Sequence, residues 1–91
     1  MGLKSTTVCL GYQQITSLSA STALTVPVGA TMALITPETQ AIRWRDDGTA
    51  PTASVGMPLA TGTSLSYDGD LKAIRFIQQT ASAVLNVSYY A

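Results

Sequence analysis

No stretch of this sequence repeats apolar residues at helical spacing; they alternate instead, in short runs separated by Gly, Pro, Asp, Ser and Thr. An amphipathic helix needs apolar residues at i, i+3, i+4 and i+7 to bury one stripe, so helical bundles and α/β folds are excluded. Alternation with period two marks a strand with one face inward. Residues 5–10 read as an edge strand or extended arm broken by Gly11, and residues 12–18 alternate again. Residues 22–28 place Leu24, Val26 and Val28 on one face. Pro27 has no N–H to donate and so restricts that strand to an edge or an end. The run of Met32, Ala33, Leu34 and Ile35 suits a strand buried on both faces, and Pro37 opens a turn after it. Val55, Met57 and Leu59 alternate inward in a short, irregular strand, and Leu65 and Tyr67 share a face in the next. Residues 71–79 and 82–90 supply two closing strands, the last with one ring of the pair Tyr89 and Tyr90 on each face.

About seven to nine short strands with turn residues between them predict an all-β fold, a small single-domain antiparallel β-sandwich or barrel that can follow a jelly-roll path. Residues 1–11 are expected as an N-terminal arm or edge strand and residues 12–91 as the sandwich domain. The opening residues lack the apolar run of a signal peptide, and no stretch approaches the ~20 apolar residues that a membrane-spanning helix requires.

The scarce charged residues gather in residues 41–49, which hold the only tryptophan, Trp44, beside Arg43, Arg45, Asp46 and Asp47. Strand geometry turns Ile42 and Trp44 to the core and Arg43 and Arg45 to the opposite face, and Asp47-Gly48 supplies a turn. An echo follows at Ala73, Ile74, Arg75 and Phe76, so the two segments are expected as strands with like roles. Arg and aromatic residues carry much of the energy of association. Arg43, Arg45, Arg75 and the outward ring of Tyr90 are therefore the candidate interface residues.

Chemistry has little to work with. The chain has no histidine, which removes the commonest general base and metal ligand and any Ser–His or Cys–His pair. Its five carboxylates, Glu38, Asp46, Asp47, Asp68 and Asp70, all fall at predicted turns, where Asp-Gly has a conformational explanation. The two aspartate pairs could share a cation only if their loops converged, and no EF-hand spacing is present. The single Cys9 is expected to pack as a small apolar side chain. No catalytic, cofactor-binding or metal-binding residue is assigned, and the chain is read as non-enzymatic. Formal net charge is zero and only 11% of residues are charged. That balance offers no electrostatic footprint for nucleic acid. It suits an exported fibre-like protein, or a subunit whose faces are covered by partners, better than a free cytosolic monomer.

The stretch 41–59, together with residues 71–78 and 83–90, resembles segments of small β-rich structural proteins in the virions of tailed bacteriophages. The likeness runs over residues 12–90 and contains no catalytic signature. It implies a capsid decoration (cement) protein in the virion, assembled in the bacterial host cytoplasm. Its partners would be the major capsid protein or other virion proteins and copies of itself, as dimer or trimer, with no membrane or nucleic acid. The alternative is a tail or head–tail accessory module that binds a host surface molecule or another virion protein. No site residues are carried over from the resemblance.

Overall fold

A computed structural model describes residues 7–91. They form eight strands: β1 (Cys9–Ile15), β2 (Thr22–Ala23), β3 (Met32–Glu38), β4 (Ile42–Arg45), β5 (Met57–Leu59), β6 (Leu65–Tyr67), β7 (Arg75–Gln78) and β8 (Val84–Tyr90). One antiparallel sheet has the order β1-β8-β3-β6 and the other β2-β7-β4-β5. Strands 1 and 8, 2 and 7, 3 and 6, and 4 and 5 all pair. Such nested pairing is a long hairpin rolled over on itself, and the fold is a jelly-roll sandwich.

The inner faces meet in one core. Ala33, Ile35, Leu85, Val87 and Tyr89 of the first sheet pack toward Ile42, Phe76 and Leu59 of the second, with Ile74 between strands, and all are buried. Burying each of the larger apolar side chains contributes about 1.5–3 kcal/mol, so these residues hold the two sheets face to face. The echo segments are neighbours: β4 and β7 run antiparallel, with Trp44 opposite Phe76 and Arg45 opposite Arg75.

Several expectations fail for local reasons. Gly11 does not end the first strand; it lies inside β1, where the register shifts between Cys9 and Gly11. Residues 1–6 of the expected arm lie outside the described residues. The strand expected over 22–28 stops at Ala23, and Val28 is almost fully exposed because the chain there is already a connection. The 32–35 run is covered on one face only: Ala33 and Ile35 are buried, while Leu34 is 39% exposed on the open face of the first sheet. Pro37 is not in a turn but buried within β3. Its carbonyl accepts from Gly62, which places its nitrogen on the same flank, beyond the end of β6, where no ladder N–H is needed. The turn comes two residues later, at Thr39. There the Gln40 N–H bonds the Glu38 carbonyl around a residue with φ of 70°, and the Thr39 hydroxyl donates to the Ser82 carbonyl at 2.6 Å. Of the inward alternation at 55–59 only Leu59 is buried; Val55 and Met57 are both more than half exposed.

Trp44 also differs from expectation. It is partly buried and rests against the core from the end of the sandwich, opposite Met57 of the short edge strand. Its ring meets Tyr67 edge to face, with centroids 6.0 Å apart. Emptying a fully buried large aromatic costs about 3–5 kcal/mol. For this half-covered ring, Trp44→Ala is expected to cost about 2–3 kcal/mol, below the range for a fully buried one. Denaturant midpoints of the two proteins check the value.

Candidate functional site

The four candidate interface residues divide between the two outer faces of the sandwich. Arg43, Arg45 and Arg75 share the outer face of the second sheet, because Arg45 pairs directly with Arg75 while Arg43 pairs with Ile77. Tyr90 lies on the outer face of the first sheet, opposite Cys9 and Met32, with Tyr89 turned into the core.

Each arginine is tied to its own chain. Arg43 donates from Nε to the Ala53 carbonyl (3.1 Å) and from Nη1 to the Gly56 carbonyl (2.9 Å). The loop of residues 46–56 is thereby drawn over the sheet, with Pro51 buried beneath it. Gly56 is required there: its φ is +145°, and a Cβ would come within 3.2 Å of the Arg43 Cβ, the Pro51 Cβ and the Trp44 carbonyl. Arg45 grips Asp47 by donating from Nε to Oδ1 (3.0 Å) and from Nη2 to Oδ2 (2.5 Å). That hydrogen bond holds the Asp47 carboxyl below, and the Arg45 guanidinium above, their ordinary values. Arg75 donates to the carbonyls of Lys72 (2.7 Å) and Ile74 (3.1 Å). Hydrogen bonds to a charged group contribute about 1.5–3 kcal/mol. Arg43→Met, which keeps the stem and loses the fork, should accordingly destabilise by about that amount and speed amide exchange across residues 46–56, as proton-exchange NMR would read.

The two aspartate-bearing loops do meet, through Tyr67. Its hydroxyl donates to Asp46 Oδ2 at 2.7 Å, and Asp70 lies near enough to bear on its ionisation. No group of three or more carboxylate or thiol side chains among the described residues is arranged to hold a metal ion. Arg45, Asp46, Asp47, Val55, Gly56 and Met57 line an open depression at this end. It holds one ion pair and an apolar floor, which can seat a small polar or mixed group but offers no acid–base pair.

Burial pushes the phenol of Tyr67 up to about 12, helped by its bond to Asp46, and burial pushes Tyr89 to about 12 as well. Tyr89 is enclosed in the core with its hydroxyl donating to Gln13 Oε1 at 2.6 Å. In the unfolded chain both would ionise near their ordinary value of 10.0. Between those limits the unfolded state has released protons that the native state still binds, so stability falls as pH rises. The two contributions are fully present below pH 10.0 and lost by about 12. Circular dichroism against pH should show alkaline unfolding in that window, shallower in Tyr67→Phe.

The surface that sequence patterning missed is the outer face of the first sheet. Tyr12 and Leu34 are 63% and 39% exposed, and Cys9, Met32, Ser88 and Tyr90 complete the patch around them. Cys9 is exposed rather than packed, with Sγ 3.8 Å from Ser88 Oγ. The only charged side chain that the strands place on this face is Glu38, at the far end of β3, where it accepts from Asn86 Nδ2 at 2.9 Å. Alternation in residues 32–38 and 84–90 carried the signal, since the residues between the buried ones are Leu, Thr, Asn, Ser and Tyr rather than Lys or Glu. No family model, curated protein or solved structure matches this chain.

Proposed function

We propose that this chain is a non-enzymatic structural subunit of a tailed-bacteriophage virion, a capsid decoration protein that lies on the major capsid lattice. One observation carries the proposal: an open sheet face from which charge is almost absent, with Tyr12, Leu34 and Met32 presented on it. Such a face loses little hydration when it is covered, because few ionic groups have to be desolvated. A shell also repeats the contact, so a modest interface per copy suffices through avidity. The resemblance of residues 41–59, 71–78 and 83–90 to small virion proteins points the same way. Cofactor, membrane and nucleic acid have no part in this role.

Quantitative mass spectrometry of purified particles tests it. A decoration subunit should be present in hundreds of copies, a tail component in about three to eighteen, and absence from particles would sink both. A second function, tail or head–tail accessory module binding a host surface molecule, is favoured by the 46–56 loop. That loop is pinned by Arg43 beside an open depression at one end of the sandwich, where jelly rolls and other sandwiches commonly present binding loops. Leu34→Glu discriminates further: it should abolish decoration of bare capsids and leave attachment through the 46–56 loop untouched.

A further inference from the structure

We propose that the free edge of β1 pairs with the same edge of a second copy, joining two first sheets into one continuous sheet across a two-fold axis. The four sheet edges differ sharply. β2 has two residues, β6 has three, and β5 has three with Pro58 in the middle. Short strands and proline are the usual devices that stop edges from pairing. β1 has seven residues, Cys9–Ile15, with neither a charge nor a proline, and past the register shift between Cys9 and Gly11 it runs regularly from Gly11 to Ile15.

The hydrogen-bond phase leaves this edge open. Val8 and Ala91 exchange both backbone bonds (2.9 and 3.0 Å), and the Tyr90 carbonyl is turned to β3, where it accepts from Thr31 at 2.9 Å. Alternation then directs the backbones of Tyr89 and Val87 to β1 and those of Ser88 and Asn86 to β3. Their β1 partners follow: Gly11 and Gln13 bond inward, while Tyr12 and Gln14 turn their N–H and C=O groups outward. Among the described residues, no backbone bond outside the strand ladders involves Tyr12 or Gln14. The segment passing nearest, at Thr25, is held by the Gln13 side chain (3.1 and 3.3 Å) and not by this edge.

Charge selects the occupant. Antiparallel self-pairing sets a strand against its own residues, so a charged edge would meet its like; β1 has none to oppose. With the axis at Gln13, Tyr12 faces Gln14 of the partner subunit, and the outward groups of both copies are satisfied together. Apolar side chains are exposed on and beside this strand: Val8, Leu10 and Tyr12 are 51%, 37% and 63% exposed. The dimer also doubles the charge-poor face, although it stands or falls in solution without any virion.

Sedimentation equilibrium on the full chain tests the pairing. The average mass should climb from 9.5 kDa toward twice that value with concentration. Gln14→Pro removes one outward N–H and no ladder bond, and should weaken dimerisation at least ~10-fold while circular dichroism stays native. Leu34→Lys, on the open face but away from the edge, should change it by less than about twofold. Should Gln14→Pro fail to fold, amide exchange in the native protein decides: the Tyr12 and Gln14 amides should become protected as concentration rises. A chain monomeric at millimolar concentration, or those two amides exchanging independently of concentration, would overturn the proposal. So would a dimer abolished by Leu34→Lys and unaffected by Gln14→Pro.

Discussion

Phe76→Ala is expected to remove about 3–5 kcal/mol of stability, the cost of emptying a large buried aromatic site. Phe76 is fully buried at the middle of the second sheet, opposite Thr22 on one side and Trp44 on the other. Its neighbours cannot collapse into the space, because Ile42 and Ile74 are themselves buried, the first fixed by β4 and the second by the turn that leads directly into β7. A domain of this size has about 5–14 kcal/mol in total, so the loss is about a fifth of the whole at the least. Urea unfolding should show the midpoint falling with little change in slope. A loss below about 1 kcal/mol would mean that the sheets close over the site and the core is more plastic than close packing permits.

That residue is legible in the sequence as the echo of Trp44, and the pattern carries the all-β class, the inward faces of β7 and β8 and the inward Ile42 of β4; the two Arg-bearing segments, expected only as strands with like roles, prove to be neighbours. Where it failed, a third element decided the outcome. The run at 32–35 reads as doubly buried because an apolar run cannot report whether anything covers the sheet's second face; among the described residues Leu34 stays 39% exposed. Val28 sits in a phase that would have buried it had the strand continued, but β2 ends at Ala23. Pro37 carries the usual mark of a turn and is tolerated in β3 because its flank lies beyond β6. The candidate site divided in the same way. Strand phase put Arg43, Arg45 and Arg75 on one face, yet nothing local foretold that Arg43 reaches loop carbonyls ten and thirteen residues away. The open face of the first sheet was recoverable from alternation in β3 and β8, once polar uncharged residues are counted as an outward signal.

The second large effect comes from adding one methyl group. Gly69→Ala would set a Cβ against the Tyr67 ring, 2.6 Å from Cζ and closer still to the hydroxyl. A flexible side chain would swing aside; this one is held. Trp44 packs against the ring edge to face, and Asp46 accepts the hydroxyl proton at 2.7 Å. Either the ring moves and both contacts go, or the 68–70 turn is displaced from the end of β6. Overpacking of this kind costs about 1–3 kcal/mol, and the broken hydrogen bond to a carboxylate places Gly69→Ala at the upper end of that range. The double-mutant cycle isolates the cause. In a Tyr67→Leu background the added methyl meets a shorter side chain with no hydroxyl, so the penalty should shrink to about 0.5 kcal/mol or less and the coupling should approach the full single-mutant cost. Undiminished destabilisation in that background would assign the requirement for Gly69 to the turn's own backbone. Because Asp46 begins the 46–56 loop, Gly69→Ala should also speed amide exchange through that loop, tying the Asp-Gly turn after β6 to the surface beside Arg45.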